Sequence, residues 1–521
     1  MMSSRARTVA FAIANMLVLL LAVIGSINFG IPAGRAFYVV TLFALCSAPL
    51  LLLDSFHGRY ALLTVFMVMY FVFFGALDLL TLIFGPAAEA AAVPGFLSPG
   101  EQGILLGGLL VTLGYAVAIR LTPDSSRRVL TDWPTGTIVV VGTALWLIGS
   151  FSLLYFQVFV LDEKTNVAAQ RGLASLGSVN TFMVLLGNLV QPLGILLLAY
   201  GYARFRTTAW LVIVLTVVLV QVAIGFVADI KSSAMLAGIL VILTRTFVDN
   251  RLPKAWIAGG LVLLALAFPV FQAYRSQVTG ERGLTRSEAF QQLDKVIEIA
   301  LASRDKVATG PDRSQTFFER ASLKENVELA FAHTGVDVPF QAGHTLLEVP
   351  LAFIPRLLWP NKPGTPTGQL FNKAFIRGGD PDTYISPSHL GEIYWNFGWP
   401  GVIVGMTAIG ALLGIVGKRT SLSSGVSLTR LLVLIATIKC VCIEFEGAVG
   451  VAYVIWLRSL GAIGILHWLF ARRVLKSTGQ ESPRESARES PQPGMAMLPQ
   501  AQAVSQAPVV PQIARFPNLM R

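Results

Sequence analysis

The chain reads as an all-α, polytopic inner-membrane helix bundle of about twelve transmembrane helices, and three observations predict it. Of its 521 residues 54% are hydrophobic and only 13% charged, against about 25% charged in an average soluble protein. Apolar runs of about 18 residues or more recur along it, each long enough for the ~30 Å hydrocarbon layer. Backbone groups in lipid must be satisfied within a segment, so runs of this length are helices and not barrel strands.

The spans fall at about 8–28, 36–53, 60–84, 102–121, 136–160, 179–203, 208–228, 232–247, 255–273, 396–417, 428–448 and 450–471. The first follows Arg5 and Arg7, has a long apolar run and lacks a small-x-small cleavage site, so it reads as an uncleaved helix. Lys and Arg in short loops set orientation. With the N-terminus inside, the inner segments up to Lys476 hold about 17 of them and the short outer loops about 4. Both termini are therefore expected inside, and the +11 net charge reports topology rather than nucleic-acid binding.

Four regions result: 1–273 with nine spans, an outer loop 274–395, the last three spans in 396–471, and an inner tail 472–521. The tail is rich in Pro, Gln, Ala and Ser without hydrophobic period and is expected to be disordered. Cys46, Cys440 and Cys442 all fall within spans, where packing is the expected role. The histidines are too scattered for a metal site, and no cofactor is expected.

The outer loop is the polar interruption in this apolar chain. Thr285–Glu288 fits a capping box, followed by Phe290, Leu293, Ile297 and Leu301 at helical spacing. A second helix is expected from about Thr316 to His333. Both are too short to span and would lie on the membrane or over the bundle. Next, Pro350, Pro355, Pro360 and Pro363 break an apolar segment ending near Trp359, which suggests a re-entrant or interfacial element. Arg356 and Lys362 there either meet phosphate, which suits a guanidinium fork, or snorkel to the interface as anchors.

At the start of the tenth span, His389, Glu392 and Asn396 would share one helix face. A carboxylate and an imidazole so placed can take a proton from a sugar hydroxyl. Alternatively, Glu392 is a first-turn carboxylate favoured by the helix dipole, and Tyr394 and Trp395 are interface-belt residues. Charges within spans are costly. Asp78, Glu444 and Glu446 fall near outer ends of spans, with Asp229, Lys231 and Arg171 in outer turns. Lys439 and Arg458 lie deeper and are expected to pair with some of these acids. No line of acids crosses the membrane, which favours surface chemistry over ion-coupled transport.

The runs IPRLLWPNKP and SPSHLGEIYWNFGWPG, the latter entering a helix, resemble the Wzy-type oligosaccharide repeat-unit (O-antigen) polymerases. The layout, about twelve spans with a large periplasmic loop between the ninth and tenth, is similar. So is the Asp229-Ile-Lys231-Ser-Ser turn. Arg171 and Arg275 lack the glycine eleven residues on that some members carry, and Arg356 reaches Gly368 one residue late.

The resemblance implies a metal-independent glycosyltransferase of the bacterial inner membrane, active on undecaprenyl-diphosphate-linked oligosaccharides at the periplasmic face. It would work with a flippase and a chain-length regulator. On that reading Arg356 and Lys231 hold the diphosphate, with Arg171, Arg275 and Lys362 in support. Glu392 is the first candidate base and His389 the second, while Tyr394 and Asn396 contact sugar. A ligase passing the glycan to another acceptor, and a transporter without chemistry, are the rival readings.

Overall fold

The computed structural model describes residues 4–53, 58–84, 96–123, 133–156, 178–227, 231–263, 322–351, 354, 359, 367–376, 384–423 and 425–471. Among these the regular structure is helical, with a single isolated bridge between Thr334 and Val338. The molecule is a helical membrane protein. Among the described residues eight helices are long and apolar enough to cross a membrane, or nine if one pair bent by 53° is a single span.

Helices α1 (Ser4–Phe29) and α2 (Ala33–Leu52) pack as a pair. Met16 and Ile27 of α1 stay 63% and 77% exposed, as suits a surface facing lipid tails. The expected third span is two helices, α3 (Ala61–Phe74) and α4 (Ala76–Phe84), meeting at the bend. Helix α5 (Pro99–Leu121) begins with a complete capping box. The Ser98 hydroxyl accepts from Glu101 N, and Glu101 accepts from Ser98 N, so two of the four orphan amides of the first turn are matched.

Helices α6 (Thr135–Tyr155) and α7 (Ser178–Phe205) run antiparallel at close range. A methyl on Gly149 would stand 2.5 Å from Gln191 N, and one on Gly194 2.3 Å from Trp146 N. Small residues permit such approach, which is how membrane helices gain packing energy. Next come α8 (Thr208–Val227), α9 (Lys231–Asp249) and α10 (Lys254–Leu263). The expected ninth span continues beyond the described residues. So do the first expected loop helix and the tail.

From the loop, α11 (Lys324–His333) and α12 (Thr367–Phe375) are described. Helix α13 (Ser388–Thr420) starts earlier than the expected tenth span and lies along α5. The bundle closes with α14 (Leu428–Thr437), which widens into π-helical Ile438–Ile443 and ends in a tight 3-10 turn Glu444–Glu446, and with α15 (Val449–Leu466). The expected eleventh span is thus regular α-helix only in its first half.

The kink in α13 has a chemical cause. Gly398 adopts φ 64°, ψ −151°, and Pro400 follows inside the helix. Proline has no N–H for the carbonyl four residues back, so Asn396 O is released and accepts from Ala342 N at 3.1 Å. Trp395 O likewise accepts from Gln341 N at 3.0 Å. The kink therefore holds the loop. Because this backbone region is essentially glycine-only, Gly398→Ala is expected to cost about 1–3 kcal/mol, read as a lower thermal midpoint in detergent; an unchanged midpoint would reject the account.

The two ends of the bundle differ in charge. Helix α5 begins beside α11 and ends at Leu121, where Lys418 of α13 donates to Ile119 O and Tyr115 donates to Arg59 O. At that far end Arg206 and Arg245 both pair with Asp249, which is the single acid there among the described residues, beside Arg251, Lys254 and Arg419. The α11 end holds the other described acids.

Candidate functional site at the junction of loop and bundle

Helix α11 is fixed by a buried ionic network. Its first residue, Lys324, places Nζ 3.0 Å from Asp78 Oδ2 of α4 and 2.7 Å from Glu101 Oε1 of α5. Arg35 of α2 holds the other Asp78 oxygen at 2.6 Å through Nη2 and donates to it through Nε at 2.7 Å. Glu328, one turn along α11, is 3.8 Å from Lys324 and accepts from the Ser98 hydroxyl at 3.3 Å. The Lys324 ammonium also sits 4.4 Å from the centre of the Tyr38 ring, a cation–π contact. Buried charges need such partners.

Packing finishes the dock. Gly100 lies against the Glu328 backbone, where a methyl would come within 2.9 Å of its Cα, and Gly103 leaves room for the Phe331 ring. Phe331 stacks on Tyr394 of α13 at 3.7 Å and 15°. Asn326 donates to Ser386 O at 2.9 Å, and the Ser386 hydroxyl donates to Glu446 O. The segment leading into α13 is thus gripped between α11 and the turn before α15.

The expected face of α13 exists. His389, Glu392 and Asn396 are helical and 0%, 0% and 1% exposed. Glu392 Oε2 accepts from Val449 N at 2.7 Å. That amide opens α15, so the carboxylate meets the positive end of a different helix from its own. The His389 ring lies among aromatics, 4.8 Å from Phe445 and 5.6 Å from Tyr453. The site thus holds a buried carboxylate one helical turn from an imidazole. Comparison with family models, curated proteins and solved structures gives no match.

Asn396 is tied into the scaffold. Its Nδ2 donates to Thr345 Oγ1 at 2.7 Å and to Glu392 O at 2.8 Å, and its Oδ1 accepts from Gly343 N at 2.9 Å. Tyr394 and Trp395 are buried, not at an interface belt: Trp395 packs edge-on against Phe371 and Phe375 of α12 at 5.7 and 5.3 Å. The covering loop removes them from the boundary. Lys231 begins α9. Arg171, Arg275, Arg356 and Lys362, the other expected diphosphate cations, lie outside the described residues.

Of the deep charges, Lys439 pairs with Glu444 at 3.7 Å as expected. Arg458 is exposed on α15 and, among the described residues, pairs with none of these acids; Asp78 takes Arg35 and Lys324 instead. Sequence reasoning missed Arg35, Glu101, Lys324 and Glu328 as a unit. The Ser98–Glu101 capping box was their one local signal.

Proposed function

We propose that this chain is a repeat-unit polymerase for a bacterial surface polysaccharide, working at the outer face of the inner membrane. The bundle is read with about twelve spans, both termini inside and the loop outside. The charge difference between its ends supports that orientation.

The observation that carries the reading is Glu392, a buried carboxylate held by Val449 N beside His389 under a docked loop helix. In the proposed step Glu392 takes the proton of an acceptor sugar hydroxyl. The freed oxygen attacks the anomeric carbon of the lipid-linked glycan, and the bond to the diphosphate breaks with its electron pair leaving on phosphate. Cations must neutralise that leaving group, a role assigned to Arg356 and Lys231 with Arg171, Arg275 and Lys362 in support.

The test is a gene deletion complemented with Glu392→Gln. General-base removal is expected to slow the reaction by about 10²–10⁴-fold. A gel of surface polysaccharide should then show single-repeat material in place of long chains. Long chains from Glu392→Gln at equal protein level would overturn the base assignment, and unattached lipid-linked polymer in the deletion would indicate a ligase.

A further inference from the structure

Among the described residues, Nδ1 and Nε2 of His389 and the hydroxyl oxygen of Tyr453 are buried without a hydrogen-bond partner. Their rings are 5.6 Å apart and tilted by 38°. The helices bring them together. His389 and Glu392 stand one turn apart on α13, and Val449 and Tyr453 one turn apart on α15. Val449 N meets Glu392 on one turn while Tyr453 meets His389 on the next, so two polar faces oppose each other in antiparallel sense.

Proteins satisfy nearly all buried polar groups, and those left over call for an explanation. Here the packing alone would be served by a phenylalanine at 453, which carries no hydroxyl to bury. A neutral imidazole presents one donor and one acceptor, and a phenol can act as both. Together they match the donor and acceptor of a hydroxyl group.

We propose that His389 and Tyr453 form a binding site for the acceptor sugar's hydroxyl, presenting it beside Glu392. This rests on the polymerase reading above and adds Tyr453 of α15 to its site. Phe445, in the turn before α15, packs on the imidazole and closes one side of the pair. Water offers the same hydrogen-bonding chemistry, and the test separates the two.

Tyr453→Phe removes only the hydroxyl. It is to be measured in two ways: thermal unfolding of the purified protein in detergent, and polysaccharide chain length in complemented deletion cells. The expected result is a melting midpoint equal to or above that of the parent, with polymer reduced about tenfold or more, the effect of losing one hydrogen bond to the reacting hydroxyl. A midpoint equal or higher with normal chains would assign the spot to water and overturn the substrate role. A lower midpoint would mean that the hydroxyl has a structural partner, which also overturns it. Glu392→Gln in the same cells keeps the two readings apart. Short chains from Glu392→Gln with normal chains from Tyr453→Phe sink this inference alone. A deletion strain with unchanged polysaccharide sinks the polymerase reading and this site with it.

Discussion

Replacing Lys324 by methionine is expected to destabilise the protein by about 3–5 kcal/mol, the usual result of removing one partner of a buried ion pair. Lys324 is the only cation within 4 Å of Glu101 among the described ion pairs, whereas Asp78 keeps Arg35. The variant therefore leaves Glu101 buried beside Glu328 without a counter-charge. Loosening of α11 should follow, since its first residue carries the ionic contact and only the Asn326 and Glu328 hydrogen bonds and the Phe331 packing on Gly103 and Tyr394 then hold it. Thermal unfolding and limited proteolysis near residue 324 read both effects. The double variant Lys324→Met/Glu101→Gln should recover part of the loss, and a double variant no better than the single one would reject the pairing.

The same network sets a pH dependence. Burial opposes the Lys324 charge, but Asp78 and then Glu101 outweigh it and hold its pKa above the ordinary value. A raised lysine gives stability that is full below the unfolded value of about 10.4 and is lost as pH rises through the folded value. Glu328 is the third carboxylate against two cations, and burial raises its pKa despite Lys324. The folded state thus binds its proton more tightly, so stability declines as pH rises from about 4.3 through the folded value. Glu328→Gln keeps an acceptor for Ser98 and should remove that decline; melting midpoints across this range provide the check.

What the sequence made legible follows from the range of each interaction. The long apolar runs are local, and so is the i, i+3, i+7 spacing of His389, Glu392 and Asn396. Within the described residues the apolar runs reappear as eight or nine spanning helices and the spacing as one buried face. The Arg35–Asp78–Lys324 cluster joins residues 43 and 246 positions apart, so no periodicity could reveal it. Glu392 looked like the cap of its own helix because the partner amide, Val449, lies 57 residues on. Tyr394 and Trp395 matched belt residues in composition, yet α11 and α12 cover them. Span three looked continuous since its apolar run does not register the bend beside Gly75.

Gly410→Leu is expected to cost about 3 kcal/mol or more, because the site cannot yield by changing a rotamer. Helices α5 and α13 touch there through backbone: a methyl on Gly410 would stand 2.1 Å from Val111 O, and one on Gly114 2.2 Å from Thr407 O. A leucine must push the two axes apart. That separation reaches the junction, since α5 carries Glu101 and Gly103 under α11 while α13 carries His389 and Glu392 into α15. Loss of folded, monodisperse protein on size exclusion would therefore be accompanied by loss of α11 docking. Gly464→Leu on α15 is the control, as no atom lies within 4 Å of the added carbon. Equal behaviour of the two variants would show that the α5–α13 approach is not what holds the junction together, and would leave the ionic network as its main support.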